Sequence, residues 1–136
     1  MQDRPTPSEL LATIADLLEG PVLGATRGPL QHQVRVAGNL CRILEREAQL
    51  GAAHEAREVE LLAGALGEPA GGRDALAEPG ARLAALALSR RLVERLAAGD
   101  EALERRAWAA LVEIVRGKLA VAKPGHDAFD FSAELD

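Results

Sequence analysis

The stretch LQHQVRVAGNLCRILEREAQL, residues 30–50, carries apolar side chains at Leu30, Val34, Ala37, Cys41, Leu44 and Ala48. At about 100° per residue these six fall on one side of an α-helix. Val36, Leu40 and Ile43 widen that side on one flank. A helix with so broad an apolar side meets more than one neighbour. The pattern therefore predicts a central helix over 30–50, set inside an all-α bundle.

The flanking sequence repeats the same period. Upstream, Thr6-Pro7-Ser8-Glu9 has the form of a capping box with proline at the first helical position. A helix starts there, turns Leu10, Ile14, Leu17 and Leu18 to one face, and is interrupted at Gly20-Pro21. Residues 22–29 read as a connection. Downstream, Gly51 separates the central helix from a third over 52–66, with Val59, Leu62 and Leu66 inside and His54, Glu55, Arg57 and Glu58 outside. Gly67, Pro69, Gly71, Gly72, Pro79 and Gly80 mark the longest loop.

A fourth helix spans 81–98 on the ridge Leu88, Leu92 and Leu96, with Leu86 and Val93 beside it, and ends at Gly99. Asp100 caps a fifth, which runs to Ala122 with Leu103, Ala107, Leu111, Ile114 and Val115 as its buried face, and Lys123-Pro124-Gly125 stops it. The expected architecture is a single-domain helical bundle of about five helices over residues 1–125, followed by an irregular tail over 126–136. Phe129 and Phe131 lie in that tail among acids, without a helical period. Three readings stand for it: folding back onto a groove between helices, lying across a partner subunit, or fraying.

Composition agrees with helix. The chain has 136 residues, enough for one continuous core. Alanine and leucine dominate and aromatics are 2%, a mixture that favours helix over strand. The net charge of −5 opposes phosphate attraction and argues against nucleic acid. A single cysteine, Cys41, forms no internal disulfide. Glu9 and Asp16 break the first leucines, unlike a secretory leader. The longest apolar run, Leu83 to Leu88, is far short of a membrane span. The expectation is a cytoplasmic protein with no membrane contact.

Catalytic chemistry has little to work with. His32, His54 and His126 are scattered and lack metal-ligand spacing. Ser8, Ser89 and Ser132 fit no nucleophile elbow, and Cys41 lies in an apolar stripe, where a thiol is hidden rather than activated. No catalytic residue, metal site or cofactor is expected, and enzymatic activity is the less favoured reading. One constellation exceeds this background. His32, Arg35, Asn39, Arg42 and Arg46 fall within about 80° of arc opposite the main apolar stripe. Guanidinium forks suit carboxylate or phosphate, so this stripe is either an anion-binding surface or the helix's solvent face.

Three stretches carry a resemblance. They are Met1 to Thr6 with Glu9-Leu10-Leu11, Arg35-Val36-Ala37-Gly38-Asn39 through Arg46-Glu47, and Lys118-Leu119-Ala120 before Pro124. On these the chain resembles a bacterial family of small helical proteins, a domain of unknown function. The genes of that family often accompany kinases resembling aminoglycoside or choline phosphotransferases, and acyl-CoA dehydrogenases. The resemblance implies an accessory role and brings no established activity. It transfers Arg4, Arg35, Asn39 and Lys118 as candidates for a shared structural or binding role.

Two functional expectations emerge. The first is a non-catalytic accessory or interaction module, self-associating or bound to a partner protein, with Phe129 and Phe131 as candidate interface residues. The second is a binder of an anionic small molecule, or an enzyme acting on one, through His32, Arg35 and Asn39, with Arg4 or Lys118 completing the site.

Overall fold

The structure, a computed structural model, describes residues 4–71 and 80–125. Among the described residues it is all-α: α1 (Pro7–Leu17), a π turn (Leu18–Val22), the single turn α2 (Leu23–Ala25), α3 (Gly28–Leu66), α4 (Gly80–Ala97) and α5 (Glu101–Ala122). Four of these are full helices, where the sequence pattern predicts five. The difference lies at Gly51, where the expected second and third helices are one. A glycine inside a helix costs only about 1 kcal/mol, and its neighbours Ala48, Gln49, Ala52 and Ala53 are good helix formers. Most of the glycine-rich loop, residues 72–79, and the tail 126–136 with Phe129 and Phe131 lie outside the described residues.

The chain divides into two compact units, Met1–Gly51 and Ala52–Asp136. In the first, the expected capping box opens α1: Thr6 N–H donates to Glu9 Oε2 at 2.7 Å and Glu9 N–H donates to Thr6 Oγ1 at 3.2 Å. Pro21 does not end the helical path as expected. The path widens into the π turn, in which Leu23 N–H reaches Leu18 O, so the proline ring is accommodated without a break. Chain direction changes only after Ala25. Thr26 is extended, and α3 begins at Gly28 (φ +62) with Pro29 in its first turn.

Burial in this unit is narrow. Ala15 of α1 and Val34 and Gly38 of α3 are buried. Leu30, Val36, Leu40 and Leu44 are each more than two-fifths exposed, so residues 30–50 are not the centre of the core. The helix offers a broad apolar side there, but this unit packs it only on the flank around Val34 and Gly38.

The core sits in the second unit. Val59, Leu62, Ala63 and Leu66 of α3 meet Ala81, Ala85, Leu88 and Leu92 of α4 and Leu103, Ala107 and Ile114 of α5. The alanines at 63, 81, 85 and 107 let these helices approach closely. Leu62 and Leu103 are the largest fully buried side chains. Gly99 (φ +83) closes α4, and Asp100 Oδ1 accepts from Leu103 N–H at 2.9 Å to cap α5, as the sequence predicts.

Two arginines from other helices finish α3. Arg95 Nη1 donates to Leu66 O at 3.0 Å and Arg106 Nε donates to Ala65 O at 3.2 Å. The last carbonyls of a helix lack intrahelical donors and carry the negative end of its dipole, which is what these guanidinium groups satisfy.

Candidate functional site

The polar stripe of α3 divides by what its members touch. Arg42 is spent on structure. It donates to Asp16 Oδ1, to Glu19 Oε2 at 2.9 Å through Nη2 and 3.1 Å through Nε, and to Glu45 Oε2 at 3.1 Å through Nη1. Asp16 first, then Glu19 and Glu45, raise its pKa above the ordinary arginine value. Arg42 therefore ties α1 and the π turn to α3 and is not a free receptor for an anion. Gly38, one turn earlier on α3, makes the approach close. A Cβ built there would stand 2.9 Å from Glu19 Cγ.

His32, Arg35 and Asn39 are exposed on the first unit and make no ion pair or side-chain hydrogen bond with described residues. Together they present one full cation, one imidazole and one amide along neighbouring turns of α3. Arg4 stands 3.7 Å from Glu9 on the outer side of the capping box, with its side chain 84% exposed. Lys118 belongs to the second unit, where its Nζ lies 2.8 Å from Glu58 Oε1. Each of these two candidate cations thus already faces a carboxylate within its own unit.

The surface of α3 expected to be outside is partly engaged. Arg57 Nε donates to Glu113 Oε1 at 2.9 Å and its Nη1 to Glu60 Oε2 at 3.1 Å. Glu113 first, then Glu60, raise the Arg57 pKa. His54 is half-buried, and its ring passes within 3.7 Å of where a Cβ at Gly117 would stand. Arg91 lies 2.7 Å from Glu68. Among the described residues no three of His, Cys, Asp and Glu stand close enough to hold a metal. No helix there is long and apolar enough to cross a membrane.

What the surface offers in quantity is apolar side chain. In the first unit, Leu10, Ile14 and Leu17 form an exposed stripe on α1, and Leu30, Val36, Leu40 and Leu44 form another on α3. In the second, Trp108, Leu111 and Val115 are exposed on α5, although the sequence pattern places Leu111 and Val115 in the core. Leu83, Leu86 and Val93 are exposed on α4. Trp108 and Leu111 also line a concavity of about 450 Å³ with Leu96, Glu104, Arg105 and Ala107. Periodicity finds the apolar residues of a helix. It does not say which flank receives a neighbour.

The chain belongs to the family described as Domain of unknown function (DUF6285), whose model matches residues 24–126. The match takes in α3, α4 and α5 with His32, Arg35, Asn39, Arg42 and Lys118. It leaves out α1 with Arg4, Asp16 and Glu19. No curated protein matches the chain, and no solved structure does.

Proposed function

We propose that this DUF6285 member is a non-catalytic, cytoplasmic interaction module that self-associates through the first unit. The supporting observation is the pair of exposed stripes on α1 and α3. Seven large apolar side chains, Leu10, Ile14, Leu17, Leu30, Val36, Leu40 and Leu44, are each between 44% and 56% exposed. At about 25 cal/mol per Å², a half-exposed leucine withholds on the order of 50 to 100 Å² and roughly 1 to 2.5 kcal/mol of burial. Seven such residues supply most of the apolar share of a standard interface, which buries about 800 Å² per partner with roughly 60% of it non-polar. The enzyme such a module would serve, on the family resemblance, is a bacterial phosphotransferase-like kinase or an acyl-CoA dehydrogenase.

The test is mass in solution. The chain is expected to run as a dimer or larger at micromolar concentration in light scattering. The double substitution Leu40→Glu and Leu44→Glu should give a monomer with an unchanged helical circular-dichroism spectrum. A wild-type chain that stays monomeric at all concentrations, and binds neither neighbouring enzyme, would sink the reading.

A second reading rests on His32, Arg35 and Asn39, whose polar groups face solvent without an acid among the described residues. On this reading they hold an anionic small molecule. Thermal-shift measurement with acyl-CoA compounds and phosphorylated sugars tests it: stabilisation lost in Arg35→Gln supports it, and no stabilisation by any of them removes it.

A further inference from the structure

In the first unit, α1 and α3 each carry apolar and polar residues on opposite flanks of the line where they meet. On α3 that line is Val34, Gly38 and Arg42, since Gly38 and Arg42 lie against Glu19 of the π turn. Leu30, Ala37, Cys41 and Leu44 fall to one side of it, within about 60° of arc at about 100° per residue. His32, Arg35, Asn39 and Arg46 fall to the other side within a similar arc. On α1 the line passes through Ala15, which is buried. Asp16 and Glu19 lie to one side of Ala15, and Ile14, Leu10 and Leu17 to the other.

Arg42 fixes which flanks adjoin, because it donates to both Asp16 and Glu19. The polar flanks of the two helices therefore lie together, and so do the apolar flanks. The exposed stripes of α1 and α3 are one face. The flank running from Leu10 to Leu17 and the flank running from Leu30 to Ala48 hold no charged residue.

We propose, building on the self-association of this unit, that two copies meet on this joined face as a four-helix bundle. Each copy contributes α1 and the first half of α3. The occupant is a second copy because the unit lacks half of a core. Among the described residues of Met1–Gly51 only Ala15, Val34, Gly38 and Gly51 are buried, and a unit of about 50 residues is marginal as an independent core. An uncharged face meets its own copy without stranding a charge in the seam. A two-fold pair of such hairpins gives all four helices an inner side and leaves no apolar face open. Arg42 with its three carboxylates stays on the outer side, as do His32, Arg35 and Asn39. An anion on that stripe and a second copy on the joined face bind without competing.

Cys41, the only cysteine, is half-buried on the apolar flank and reports whether that flank is covered. Its reaction with N-ethylmaleimide should slow several-fold as concentration is raised through the dimerisation seen by light scattering. Ile14→Glu, at a position 46% exposed in the single chain, should be monomeric, with Cys41 reacting at the rate of dilute wild type. Arg35→Glu, on the opposite flank, should dimerise as wild type does. A wild type that never dimerises removes this inference together with the reading it rests on. Three results overturn the arrangement and leave self-association standing: a wild type that dimerises while Cys41 reacts at one rate throughout, an Ile14→Glu chain that still dimerises, or an Arg35→Glu chain that does not. Should Ile14→Glu lose its helical circular dichroism, the wild-type thiol rate, which needs no variant, decides.

Discussion

Gly38 and Glu19 stand so close that a Cβ on the glycine would lie 2.9 Å from the Cγ of the glutamate. Glu19 in turn accepts from Arg42, so the missing side chain at 38 is what lets the π turn reach the cation on α3. Gly64, on the same helix, has nothing within 4 Å of its would-be Cβ. Replacing a helical glycine with alanine gains about 0.5–1 kcal/mol where there is room, and forcing a carbon into a filled space costs about 1–3 kcal/mol. Gly64→Ala should therefore stabilise the chain in urea unfolding and Gly38→Ala should destabilise it. Equal gains from both would mean that the close approach does not constrain position 38.

Arg42 is predicted to hold α1 in place, whereas Arg35, two turns earlier and without an ion pair among the described residues, is not. In Arg42→Gln, three carboxylates lose their shared donor, and amide hydrogen exchange over residues 7–25 should accelerate several-fold. Arg35→Gln should leave that exchange unchanged. Similar exchange in both variants would remove Arg42 from its structural role.

The second unit depends on a few filled positions. Leu103→Ala removes a fully buried side chain and is expected to cost about 2–5 kcal/mol. Leu83, 66% exposed on α4, should change stability by no more than about 0.5 kcal/mol when cut to alanine. Denaturant titrations of both variants, at equal slope, make the comparison.

Asp100 links stability to pH with a definite sign. Its carboxylate is held below the ordinary aspartate range, first by the Leu103 N–H and then by Arg95, whose Nη2 is 2.6 Å away. A depressed native pKa gives stability that is fully present above the unfolded value, about 3.9, and is lost as pH falls through the lower folded value. Asp100→Ala should melt a few degrees below wild type at neutral pH, and the gap should narrow below about pH 4. A gap that persists unchanged into strong acid would show that the charge on the cap contributes nothing.

Local signals are legible in the sequence, and long-range ones are not. Thr6, Gly99 and Asp100 fulfil the cap and stop roles read from their neighbours, because those contacts lie within a few residues. Gly51 misleads, since one weak helix former between strong ones does not end a helix. Period alone assigns Leu40, Leu44, Leu111 and Val115 to the core, and period cannot show where a neighbour is missing. It does place His32, Arg35 and Asn39 on one arc. The partners of Arg42 escape it, because Asp16 and Glu19 come from other elements more than twenty residues away. The arginines that close α3 escape for the same reason: a carbonyl acceptor leaves no mark in sequence.

The π turn at Leu18–Val22 also bears on how this segment can change. An i to i+5 turn holds about one residue more than the α-helix around it, so α1 and α2 form a single winding path with a surplus residue stored between them. A one-residue deletion there would convert the turn to ordinary winding and, because it removes the residue the turn absorbs, leave α1 in nearly the same phase against α2. The stripe Leu10, Ile14 and Leu17 would keep its direction. A deletion within the ordinary winding of α1, with nothing to absorb it, would instead turn the residues before it by about 100°. In evolutionary terms the turn is a buffer, the one place on this path where the chain can lose a codon without redirecting its exposed apolar face.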